Sequence, residues 1–148
     1  MKTHPYLRAY LAGVFIPTLI LPLLLTAFVV VRIAMQVPIP LERGLVFPLA
    51  LVPALWGLWN VLWVGTQGRI HQPLGLHGAV LPFLLLPAGA TMASCLGLLT
   101  FGATSVTWFN AVTIPYALIA VLFSGALVAY YLVWKYVVGF LNQVLGIA

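Results

Sequence analysis

The residues of this chain able to take part in chemistry are few and scattered. Its histidines are His4, His71 and His77, Cys95 is its one cysteine and Glu42 its one acid. Bis-histidine haem ligation needs two imidazoles facing one another across helices, and only His4 or His71 could meet His77. No spacing among the three matches a metal-ligand signature. No cofactor or metal is therefore expected, with haem on His77 kept as the alternative. Arg69, His71 and His77 suggest a second possibility, a small basic pocket for a lipid phosphate or an anionic partner segment; separate solvated side chains are the plainer reading. Trp56, Trp59 and Trp63 recur at i, i+3 and i+7 beside Asn60. That face could line a ligand groove, although a stripe against lipid or a partner is the commoner use. No nucleophile–base pair, carboxylate pair, phosphate loop or metal cluster is written in the chain, so it is not expected to be an enzyme.

The elements that would carry these residues are membrane helices. Of the 148 residues 64% are hydrophobic and 5% charged, against roughly 25% charged in soluble domains. Lipid demands that backbone groups be satisfied within helices or a closed barrel. The apolar runs here are continuous rather than alternating, which selects helices. The expected fold is an all-α membrane protein, one transmembrane domain over 1–148, with four proline-kinked helices at about 11–33, 44–64, 74–99 and 111–134. The first run is too long for a cleavable signal peptide. Pro38 and Pro40 stiffen the first link, and Gly65–Pro73 is the most polar loop. Thr100–Asn110 reads as an uncharged loop near the headgroups, with Asn110 a candidate cap for the fourth helix. The tail from Lys135 either continues that helix or forms a short interfacial one.

Six cations stand singly at the edges of these runs. Lys2, Arg8, Arg69 and Lys135 share one side and Arg32 and Arg43 the other, so the positive-inside rule places both termini in the cytoplasm, of a plasma or inner membrane. Trp63, Tyr130, Tyr131, Trp134 and Tyr136 gather at the same edge, as interfacial aromatics do.

Leu11–Thr26 is written again as Leu76–Thr91, with seven of sixteen positions identical and no gap. Pro48–Trp56 is related more weakly to Pro115–Phe123. The unit is then a helical hairpin, about 8–64 and 73–131, repeated in parallel rather than inverted. Pro17, Pro22, Pro82 and Pro87 would kink the repeated helices, each proline removing a hydrogen bond. Gly13 and Gly78, four residues before Pro17 and Pro82, leave room for the bend. Gly89, Ala93 and Gly97 on the third helix, and Gly125 with Ala129 on the fourth, have the spacing of close helix–helix packing. They are expected to join those two helices, or to hold another protein. Of the repeated pair, the third helix reads as the packed member and the first as the lipid-facing one.

With no intramembrane acid or base, proton-coupled transport is disfavoured. The expected function is a non-catalytic structural or accessory subunit, its partners being the bilayer and other membrane proteins or a second copy, with no nucleic acid. A carrier or channel for a neutral or apolar solute is the first alternative, and a haem- or lipid-binding redox anchor the second.

Overall fold

The structure, a computed structural model, describes residues 4–36, 47–110 and 112–147. The Pro38–Arg43 link and the expected start of the second helix at Gly44 lie outside them. Helix α1 is Pro5–Met35; Pro5 stands in its first turn, where a missing N–H costs nothing. It runs unbroken through Pro17 and Pro22. The Thr18 hydroxyl donates to the Val14 and Phe15 carbonyls, and that of Thr26 to the Pro22 carbonyl, so each hydroxyl is satisfied within its own helix.

The chain returns through α2, Phe47–Ala50, and α3, Val52–Thr66. Leu51 between them keeps right-handed helical angles, and its carbonyl still accepts the Leu55 N–H. Pro53 has no N–H to bond four residues back, so the expected single helix is interrupted there. Helix α4, Leu74–Cys95, contains Pro82 and Pro87. It stops earlier than the expected 99 because Gly97, at φ +69°, forms a Schellman turn: the Leu98 and Gly97 N–H groups donate to the Ala93 and Ser94 carbonyls.

The purely α expectation needs correcting beyond that turn. The stretch read as a loop is an antiparallel meander of β1, Leu99–Phe101, β2, Ser105–Trp108, and β3, Val112–Pro115. Thr100 pairs with Thr107, and Thr107 with Thr113. Its Val, Thr, Ile and Trp content suits strands, whereas the Ser, Thr and Gly content alone suggests a loop. Asn110 caps no helix; it sits at φ +53° in the β2–β3 turn beside Phe109 at φ +55°.

Pro115 ends the sheet and stands before α5, Tyr116–Leu132, so the fourth helix begins five residues later than expected. It does not end at 134. A π-helical segment, Val133–Val138, leads directly into α6, Gly139–Val144, so the tail continues the helix. A second Schellman turn at Gly146, φ +66°, closes it. Among the described residues three helices are long and apolar enough to cross a membrane: Pro5–Met35, Leu74–Cys95 and the joined Tyr116–Val144.

α1 packs along α3, and α4 along α5 and the π segment; α3 with α4 and α1 with α6 join the two pairs. Burial is uneven along the helices. It extends no further than Pro17 in α1 and Pro82 in α4, and α5 has no buried residue. The repeated stretches therefore bury the same positions, Gly13 with Gly78 and Pro17 with Pro82, and the expected contrast between a lipid-facing first helix and a packed third is not observed. A smaller apolar cluster at the far end brings Leu25, Phe28 and Leu49 together with Phe109 from the sheet turn.

Candidate functional site at the terminal end of the bundle

Glycine determines where the helices close on one another. A Cβ at Gly13 would lie 2.6 Å from the Trp56 carbonyl oxygen and 2.8 Å from the Gly57 Cα, and one at Gly57 would lie 2.6 Å from the Tyr10 ring. α1 and α3 thus cross nearly backbone to backbone. On α4, Trp134 is seated against Gly78, and a Cβ at Gly75 would come within 2.8 Å of the Tyr131 ring. The glycines before Pro17 and Pro82 therefore admit the neighbouring helix, whatever ease they lend the bend.

Around these crossings Trp56, Leu81, Trp134 and Val138 form the buried apolar core. The Trp56 ring lies 5.4 Å from that of Trp134 and 5.1 Å from that of Tyr130. Residues 134, 138 and 142 would drift about 40° per step on a straight α-helix of 3.6 residues per turn. The wider i→i+5 turn of the π segment takes up that drift. Trp134 and Val138 can then face the core while Asn142 faces α3.

Asn60 and Asn142 are completely buried. Asn60 Nδ2 donates to Asn142 Oδ1 at 2.8 Å and to the Ala9 carbonyl at 2.8 Å, and Asn142 Nδ2 donates back to Asn60 Oδ1 at 3.2 Å. This reciprocal amide pair pins α1, α3 and α6 at one level. Arg8 Nη1 adds a bond to the Leu145 carbonyl at 3.1 Å, tying the two ends of the chain. A second clasp joins α3 to α4. Trp59 Nε1 donates to the His77 carbonyl at 2.9 Å and His77 Nε2 lies 3.0 Å from the Trp59 carbonyl, with the rings stacked at 4.6 Å. A carbonyl can only accept, so His77 Nε2 carries the proton.

That geometry relocates the residues singled out in the sequence. Arg69 and His71 are exposed beyond the end of α3, while His77 is half-buried against Trp59. Nε2 of His77 is engaged as a donor and is not free to ligate iron. Among the described residues no group of three or more His, Cys, Asp or Glu could hold a metal. The tryptophan face turns toward neighbouring helices: Trp56 and Trp63 are buried, Trp59 is half-buried, and Trp63 Nε1 donates to the Gln72 carbonyl. Gly89 and Gly125 have open space where a Cβ would stand, Ala129 is exposed, and Gly97 is a turn residue outside α4. Gly89, Gly125 and Ala129 therefore do not make the close contacts of α4; Gly75 makes one with α5 through Tyr131, and Gly78 one with the π segment through Trp134.

The chain matches no protein-family model, no curated protein and no solved structure. Its site has to be read from its own chemistry. The residues that composition and spacing passed over are Asn142, Gly57 and Gly75, and Trp134, expected among the interfacial aromatics, is fully buried in the core. One signal for the first was present: Gly57-Leu-Trp-Asn60 and Gly139-Phe-Leu-Asn142 share a Gly-x-x-Asn spacing in apolar surroundings. What the arrangement can do is hold helices at a set register.

Proposed function

We propose that the chain is a multi-pass integral membrane protein acting as a non-catalytic structural or accessory subunit, packed against other membrane proteins. The observation that carries this reading is the uneven burial. The terminal end is locked by paired amides, indoles and glycines, whereas beyond Pro17 and Pro82 the helices leave apolar faces uncovered. Gly89 lies in that uncovered region with no neighbour near its Cα face. A mid-helix glycine costs about 1 kcal/mol relative to alanine, and close packing against another helix is what offsets it in membranes.

In this reading there are four crossings, Phe47–Thr66 supplying the shorter one. Its twenty helical or near-helical positions rise about 30 Å at 1.5 Å per residue, the thickness of the hydrocarbon core. Both termini lie in the cytoplasm on the side richer in cations. The matching burial of Gly13 with Gly78 and Pro17 with Pro82 supports descent from a duplicated hairpin.

Purification from native membranes in mild detergent tests the proposal. A larger membrane protein should co-purify, and Gly89→Leu should release it while leaving the chain folded. Recovery of the wild-type chain alone after cross-linking in its native membrane would refute the subunit role.

A further inference from the structure

Lys135 is the one charged residue between Arg69 and the end of the chain. It is exposed, and its Nζ lies 5.6 Å from the Tyr131 ring centroid and 5.1 Å from that of Tyr136. Two aromatic faces thus hold the ammonium in place. Gly75, in the first turn of α4, lies against Tyr131 and the Lys135 Cβ, which sets the ammonium level with the start of that membrane-length helix. Headgroups lie at that level when α4 spans the bilayer.

The helix surface leading away from Lys135 is equally distinctive. At 3.6 residues per turn, Val121, Gly125, Val128 and Leu132 fall within about 40° of one line, and Lys135 follows in the π segment, whose wider turn swings it toward Tyr131. The face that packs on α4, with Phe123 against Phe83, lies opposite. Val121, Val128 and Leu132 are exposed, and nothing lies within 4 Å of a Cβ placed on Gly125. The stripe is an apolar track with a dip at its centre, and it ends at Leu132, three residues before the cation. We propose that it binds one anionic phospholipid, with the headgroup phosphate on Lys135 between the Tyr131 and Tyr136 hydroxyls and an acyl chain along Leu132, Val128, Gly125 and Val121. Charge selects this occupant: the chain carries six cations and one acid, and a zwitterionic lipid, whose own cation offsets its phosphate, would leave that excess uncompensated.

The inference rests on the membrane reading above, and the two can fail separately. Alkaline carbonate extraction that strips the chain from membranes would defeat both. For the site itself, the purified, delipidated full chain is titrated with phosphatidylglycerol or phosphatidylcholine and bound lipids are counted by native mass spectrometry. Wild type should prefer phosphatidylglycerol, and Lys135→Gln should weaken its binding about fivefold, the effect of one basic residue at a membrane surface. Lys135→Arg should retain it, and Arg69→Gln, removing a cation from the same predicted side, should leave it unchanged. No lipid preference in wild type, an unaltered preference in Lys135→Gln, or an equal loss in Arg69→Gln would each overturn the proposal.

Discussion

Asn60 and Asn142 show how one pair of residues can decide a register. Buried amides left unpaired cost about 1–3 kcal/mol, whereas replacing both partners by apolar groups can be nearly neutral. Asn142→Leu alone should therefore lower unfolding stability in detergent by about 1–3 kcal/mol. The Asn60→Leu/Asn142→Leu double variant should lose less than the sum of the two single changes. Strict additivity would mean the amides act independently. The reciprocal bonding also explains why neither residue could be assigned a role from its own position: 82 residues separate them along the chain, and Asn60 beside three tryptophans reads as a groove wall until its partner is known.

At the scale of helices, glycines of similar sequence context do opposite things. Gly13→Ala would press a methyl into the Trp56 carbonyl, and Gly78→Ala would press one into Trp134. Each should cost about 1–3 kcal/mol, the usual penalty of overpacking. Gly89→Ala meets no atom within 4 Å and should leave the isolated chain unchanged or stabilise it by up to about 1 kcal/mol through helix propensity. Gly97→Ala should destabilise by about 1 kcal/mol, since its φ of +69° suits only glycine without strain. Thermal unfolding of the four variants in one detergent would separate the classes; a uniform response would contradict the packing described. The spacing Gly89–Ala93–Gly97 is the same in sequence as a packing stripe, but the Schellman turn removes its last member from the helix.

For the whole molecule, the testable consequence is the path of α4. Cys95 is exposed at its C-terminal end and is the chain's one cysteine, whereas Arg69 precedes its N-terminus. In right-side-out vesicles a membrane-impermeant maleimide should label Cys95 without permeabilisation. An Arg69→Cys variant carrying Cys95→Ser should be labelled only after permeabilisation. Labelling of both positions from one side would show that α4 does not cross. The joining of the two helix pairs at the terminal end, with exposed apolar faces beyond, is also a property of the whole chain, and it is what makes partner packing the favoured function.

The sequence by itself determined that the helices would be long and apolar enough to cross a membrane, because continuous apolar length is a local property. It also located the proline-bearing helices, Pro5–Met35 and Leu74–Cys95, since their apolar runs continue through Pro17 and Pro82. It misread Thr100–Asn110, where strand pairing between Thr100, Thr107 and Thr113 supplies hydrogen bonds that composition does not reveal. Tertiary structure alone decided which glycines pack, that His77 clasps Trp59, and that Trp134 and Asn142 belong to the core. Each of those outcomes depends on a partner on another helix, and an almost uniformly apolar surface carries too little periodic contrast to mark which face that partner will meet.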